Sequence, residues 1–233
     1  MIELPIKPEI LFHFDGGNSL RDIYNYGDTK GAYELQRYSD KITSKKSKFG
    51  NASIYLDSGY VLVDHLLDTT KGFTFSFWYY DALLSSNRQL CILNLENGSL
   101  RPGMSYGWFN STYRVLCLSS KKTTTYDCDV RDVAICPYNT DANSWVHLEF
   151  SFDASTKIFR IFRNGVVVYT NTLSFYIDNI GKNMILNGGG VYYDEVLLIN
   201  TCLHTAAFTP PTEPYVYHAA QVSFCNNLAY GYK

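Results

Sequence analysis

Two eight-residue runs constrain this chain more than any other part of it. In Phe73-Thr-Phe-Ser-Phe-Trp-Tyr-Tyr80, the residues Phe73, Phe75, Phe77 and Tyr79 fall on one side, with Thr74, Ser76 and Trp78 on the other. In Trp145-Val-His-Leu-Glu-Phe-Ser-Phe152, Val146, Leu148, Phe150 and Phe152 oppose His147, Glu149 and Ser151. A period of two is the signature of a half-buried β-strand. Asn164-Gly165, set between two β-rich runs, predicts a hairpin, because both turn residues tolerate positive φ. Further strands are predicted at 10–14, 52–57, 60–63, 89–95, 113–118, 183–187 and 192–199, with one helical turn within 62–70. No window of a dozen residues carries a convincing 3.6-residue period. Many short strands punctuated by Gly, Asn and Asp predict an all-β sandwich.

Composition supports a packed core in one unit. The 233 residues are 46% apolar and 16% aromatic, well outside the range of disordered chains. Lys plus Arg number 20 against 22 Asp plus Glu, for a net charge of −2, so no global attraction to nucleic acid is expected. No apolar run approaches the roughly 18–20 residues of a membrane helix, and membrane insertion is not expected. The opening MIELPIKPEILFHFDGG lacks a basic region followed by a continuous apolar stretch, so no secretory signal is read there. The six cysteines include no C-x-x-C pair and read mainly as reduced, buried small residues. Pairing of Cys128 with Cys136 stays open, since geometry decides it.

Two stretches read as loops. Residues 15–50 are rich in Gly, Asn, Asp, Lys and Ser. Residues 97–144 carry Tyr106, Trp108, Phe109, Tyr113, Tyr126 and Tyr138 among polar residues, with three of the six cysteines. Long loops in compact domains are often functional, which makes the second stretch an expected contact surface. The organisation read from the sequence is an N-terminal arm at 1–9 and one domain at 10–233, with an excursion at about 97–144.

Several segments in order carry a resemblance. They are Leu11-Phe-His-Phe-Asp-Gly-Gly17, Lys48-Phe-Gly-Asn-Ala-Ser-Ile-Tyr-Leu-Asp57, Gly72-Phe-Thr-Phe-Ser-Phe-Trp78 and Trp145-Val-His147. Arg160-Ile-Phe-Arg-Asn-Gly165, Tyr193-Asp-Glu-Val-Leu197 and Phe208-Thr-Pro-Pro-Thr-Glu-Pro-Tyr215 complete the series. Together they resemble laminin-G-like, concanavalin A-like jelly-roll domains. The closing Phe-Thr-Pro-Pro motif is similar to versions in bacteriophage tail and other virion proteins. The resemblance spans about residues 10 to 216 and implies two antiparallel sheets of about six or seven strands. It also implies a structural calcium near Asp15 and Asp194, since Ca²⁺ takes hard oxygen ligands. The alternative is that Asp15 caps a strand while Asp194 pairs with a base or accepts backbone N–H bonds.

Tyr106, Trp108 and Tyr113, with Asn110 and Arg114 as polar neighbours, make a candidate glycan platform, a protein interface, or a satellite core under a loop. Asp127, Asp129 and Asp132 read as a solvated acidic loop, lacking the spacing of an EF-hand. His147 reads as a strand histidine satisfied by its neighbours, with no nucleophile motif beside it. Asp194 and Glu195, adjacent in sequence, are expected on opposite sides of a strand and so do not make a hydrolase's paired carboxylates. The expectation is therefore a non-enzymatic virion structural or attachment protein, located on a phage particle, working through contacts with other virion proteins or as a homo-oligomer. The alternative is a carbohydrate-binding adhesion module for host surface glycans.

Overall fold

The structure is a computed structural model that describes residues 1–15, 26–27, 33–35, 41–57, 60–65, 67–82, 89–93, 103–108, 113–119, 130–137, 143–174 and 183–218. The first strands in chain order are β1 (Ile2–Glu3), β2 (Ile10–Phe12), β3 (Tyr33–Leu35), β4 (Lys41–Thr43), β5 (Ser53–Leu56) and β6 (Tyr60–Asp64). They are followed by β7 (Phe73–Asp81), β8 (Gln89–Leu93), β9 (Gly103–Trp108), β10 (Tyr113–Ser119), β11 (Val130–Pro137) and β12 (Trp145–Asp153). The last are β13 (Ile158–Arg163), β14 (Val166–Thr172), β15 (Asn183–Asn187), β16 (Val191–Ile199) and β17 (Tyr215–Val216). The predicted helical turn is a single 3-10 turn at Thr69–Lys71, with the Asp68 side chain accepting from Thr70 N. No helix among the described residues is long and apolar enough to cross a membrane.

Two antiparallel sheets form the sandwich. One runs β11-β10-β9-β8-β15-β6-β3, and the other β14-β13-β12-β7-β16-β5-β4 with β2 also paired to β16. Residues 97–144, read from the sequence as an excursion, instead supply three neighbouring strands of the seven-stranded sheet. β9 pairs with β8 and β10, and β10 pairs with β11. Gly103, Ser105 and Gly107 in β9 break the alternation that marks β7 and β12. The 15–50 stretch likewise contributes β3 and β4.

The core lies between the sheets. Phe73, Phe75, Phe77 and Tyr79 from β7 meet Val146, Leu148, Phe150 and Phe152 from β12, all fully or almost fully buried. Phe75 and Phe150 stack with ring centroids 5.9 Å apart. Their burial supplies the main hydrophobic stabilisation, since each buried aromatic removes a large apolar area from water. The predicted Asn-Gly turn forms as expected, with φ of 49° at Asn164 and 75° at Gly165.

The opposite face of the eight-stranded sheet is also buried at one end. A strap formed by residues 200–217 crosses it, and the N-terminal arm pairs with the strap, β1 running parallel to β17. Leu4 N donates to Val216 O at 2.8 Å, and the Met1 amino group pairs with Glu213. A second, smaller core forms there from Leu4, Leu11, Leu197, Ile199 and Tyr215.

Candidate functional site

The outer face of the eight-stranded sheet is built in cross-strand rows, because paired residues on neighbouring strands share a face. Moving from the strap toward the open end, one row joins Leu197, Ser76, Glu149 and Phe162. The next joins Asp194, Trp78 and His147, and the last joins Tyr55, Tyr192, Tyr80 and Trp145. The strap occupies the first. Glu149 accepts from His204 Nδ1 at 2.9 and 3.0 Å, and Ser151 Oγ donates to His204 O at 3.0 Å. Phe208 stacks on His204 with centroids 3.6 Å apart and meets Phe162 edge-on. Gly165 permits this approach, because a Cβ there would lie 1.9 Å from Phe208 O.

The middle row is held from the other side by the β4–β5 hairpin. Asp194 Oδ2 accepts from Lys48 N at 2.7 Å and Phe49 N at 3.2 Å, and its Oδ1 accepts from Glu195 N at 2.9 Å. Asp15 Oδ1 accepts from Asn51 N at 2.7 Å and Ala52 N at 3.1 Å. Phe49 meets Trp78 edge-on, and Lys48 Nζ lies 3.8 Å from the Trp78 ring centroid. Burial pushes the Asp194 carboxyl up to about 8, with the amides of Lys48 and Phe49 pulling it back and the neighbouring Glu195 pushing it further.

Asp15 and Asp194 both reach the β4–β5 hairpin, where their oxygens accept from backbone amides. A calcium ion there would need six to eight oxygens, and three of the four carboxylate oxygens are already used. Among the described residues no group of three His, Cys, Asp or Glu side chains is placed to hold a metal. The donor set fits the amides rather than a cation.

His147 is packed, not hydrogen-bonded at Nδ1. It lies between Trp78 and Phe208, and burial holds its pKa down at about 3, helped by the nearby His204 and Lys48. Asp194 and Glu195 depart from the sequence expectation. Glu195 has φ of 48°, and a register shift between Asp194 and Leu197 marks a bulge. A bulge adds one residue without a partner, so both carboxylates turn to the outer side. Glu195 pairs with His13 and accepts from Tyr215 N at 3.0 Å, locking the strap.

The open end carries four aromatic side chains side by side. Tyr55 and Tyr192 have centroids 4.6 Å apart, Tyr192 and Tyr80 6.0 Å, and Tyr80 and Trp145 5.8 Å. Tyr192 is largely buried and the other three are half-buried. With strands about 4.8 Å apart, three steps across β5, β16, β7 and β12 make a row of about 14 Å. Tyr55 Oη donates to Asp57 Oδ1 at 3.4 Å, Tyr80 Oη lies 3.5 Å from Asn143 Oδ1, and Lys46 Nζ lies 4.2 Å over the Tyr80 ring.

Sequence reading passed over this row, although Tyr80 and Trp145 end the two runs that fixed the fold. The usable signal was a polar strand face turning aromatic at its end. Of the five residues read as ligand contacts, Asn110 lies outside the described residues, as do Asp127, Cys128 and Asp129. Tyr106, Trp108, Tyr113 and Arg114 are described by backbone alone. Tyr106 pairs with Cys91 and Leu116, and Trp108 with Arg114. Cys91 and Cys202 are free thiols.

A profile of the concanavalin A-like lectin/glucanases superfamily, within the laminin-G group, matches residues 56–198, more than half of the chain. The chain belongs to this superfamily. Among solved structures it is similar to the botulinum neurotoxin serotype D binding domain, with a TM-score of 0.61 and 10% identity over 85% of this chain and 49% of that one. The superfamily member thus spans about half the length of that toxin domain. It is also similar to domain 4 of AbnA, a GH43 extracellular arabinanase from Geobacillus stearothermophilus, solved in complex with arabinotriose. There the TM-score is 0.57 at 15% identity, over 85% of this chain and 94% of that domain. At these identities the likeness is one of fold. No curated protein sequence matches the chain.

Proposed function

We propose that the chain is a non-enzymatic carbohydrate-binding module whose ligand lies across the row Tyr55–Tyr192–Tyr80–Trp145. The observation that carries this reading is the row itself. Four aromatic side chains stand at the end of a face whose other rows are covered, among the described residues, by the strap and the β4–β5 hairpin. Aromatic rings offer apolar surface to the C–H faces of sugars, and their hydroxyls and the neighbouring Asp57 and Asn143 offer hydrogen bonds. Superfamily membership and the fold likeness to a domain solved with arabinotriose support it.

The non-enzymatic part rests on the acids of the same face. Glycoside hydrolysis needs two carboxyl groups flanking the scissile bond. Glu149, Asp194 and Glu195 are each about 1% exposed or less, and each is engaged by a histidine or by backbone amides. As an attachment module on a particle surface, the setting implied by the closing Phe-Thr-Pro-Pro motif, such a face would hold a host glycan.

The test is a glycan panel probed with the full chain and with Tyr80→Ala. Saturable binding that Tyr80→Ala reduces, without release of reducing sugar, is the expected result. Binding insensitive to every residue of the row would reject this surface.

A further inference from the structure

The side of the aromatic row next to the β4–β5 hairpin is cationic. Lys41 stands opposite Tyr55 in the register, and the hairpin that follows carries Lys45, Lys46 and Lys48. Lys46 is the one in contact with the row, its ammonium lying over Tyr80. Its main chain is fixed, since Lys46 O accepts from Ser53 Oγ at 2.6 Å. The hairpin as a whole is pinned by the amide bonds to Asp194 and Asp15 and by the Phe49–Trp78 contact. Among the described residues no carboxylate forms an ion pair with Lys41, Lys45 or Lys46; the ion pairs present join Met1 to Glu213, His13 to Glu195, Lys71 to Asp68 and His204 to Glu149.

The acids near the row do not cancel this charge. Asp57 lies at the Tyr55 end and accepts from its hydroxyl, Asp81 is buried, and Asp194 is buried under the amides of the hairpin. A cation held over a ring face and lacking an acid partner is placed to meet an anion that arrives with apolar surface of its own.

We propose that the row takes an acidic oligosaccharide, one whose sugars bear carboxylates, with Lys46 meeting a carboxylate while Tyr55, Tyr80 and Trp145 carry the sugar C–H faces. This inference rests on the glycan reading of the row. Lys46 then acts by charge-assisted hydrogen bonding, which is stronger than the neutral bonds that the tyrosine hydroxyls provide.

The experiment is calorimetric titration of the full chain with oligogalacturonate, a hyaluronan fragment and a sialylated oligosaccharide, each beside its methyl ester. The esters keep the sugar backbone and remove the charge. Binding of at least one acid about tenfold tighter than its ester is expected, with Lys46→Ala erasing that preference. Tyr80→Ala should abolish binding of both forms, and Lys71→Ala, remote in the chain and paired with Asp68, should change neither. Melting of each variant checks that the fold is kept. Equal binding of acid and ester, lost with Tyr80→Ala, would overturn the acidic inference and leave the glycan reading standing. Acid preference untouched by Lys46→Ala would also overturn it. Absence of binding to any member of this set and of the broader glycan panel would overturn both.

Discussion

The two ends of one sheet face solve the same problem differently. At the strap end of the eight-stranded sheet, the outward positions of β7 and β12 are Thr74, Ser76, Glu149 and Ser151, small or polar groups that hydrogen-bond to or pack against residues 200–217. At the open end the same strands present Tyr80 and Trp145, beside Tyr55 and Tyr192. Polar residues are used where the strap supplies partners, and aromatic residues with polar tips where it does not. Buried polar groups are mostly paired, and the strap supplies the partners of Thr74, Glu149 and Ser151, while Ser76 Oγ is packed without one. Half-buried aromatic groups need no such cover, and among the described residues they leave a surface suited to a ligand.

If the strap end is structural, its variants should lose stability and keep binding. Phe208→Ala removes a partly buried ring that contacts His204, Phe162 and His147, and should cost about 2 kcal/mol in denaturant unfolding, below the range for a fully buried ring. Glu149→Ala removes a buried carboxylate and leaves the partly exposed His204 without its partner, and should cost about 2 kcal/mol. Either variant binding glycan normally at a temperature where it is folded would sharpen the contrast. Loss of binding in proportion to loss of stability at both ends would erase it.

The hairpin anchor between the two ends should report through pH. The Asp194 pKa of about 8 in the folded protein lies above its ordinary 3.8. The folded state therefore holds a proton that the unfolded chain releases, so this contribution is full below about pH 4. It declines as pH rises toward 8 and is constant above. Asp194→Asn should flatten the stability profile across that window. His147 works with the opposite sign lower down. Its pKa of about 3 lies below the ordinary 6.5, so its contribution is present above pH 6.5 and is lost as pH falls toward 3. Stability of Asp194→Asn measured from pH 4 to 9 checks the first, and NMR titration of the His147 ring checks the second.

At the open end the stability effects should be smallest. Trp145→Ala, half-buried at the start of β12, should cost about 1 kcal/mol, below the usual range for a buried tryptophan. Exchanging calcium for EDTA should leave the melting temperature unchanged, because Asp15 and Asp194 hold amides. A rise of several degrees with calcium would instead show those carboxylates turning to a cation.

Much of the fold was legible because alternation survives in β7 and β12, whose inner residues are almost all aromatic or aliphatic, and because Asn164-Gly165 admits few other conformations. β10 was read as a strand at 113–118, whereas β9 was harder to read, since Gly103, Ser105 and Gly107 dilute its pattern. The bulge at Glu195 has no composition signal, because any residue can be the extra one, and it reverses the expected side of a carboxylate. The aromatic row as a whole was harder to read for a different reason. Its members come from positions 55, 80, 145 and 192, and only the register of four strands brings them together. The chemistry of Asp15 and Asp194 depended on which amides the β4–β5 hairpin presents, which no sequence pattern states.

The most direct measurement is glycan affinity for the full chain, Trp145→Ala and Trp108→Ala, each first checked for folding by its melting transition. Binding lost with Trp145→Ala and retained with Trp108→Ala is the expected result and locates the ligand on the row of the eight-stranded sheet. Binding retained with Trp145→Ala and lost with Trp108→Ala would contradict it and move the site to β9 on the other sheet.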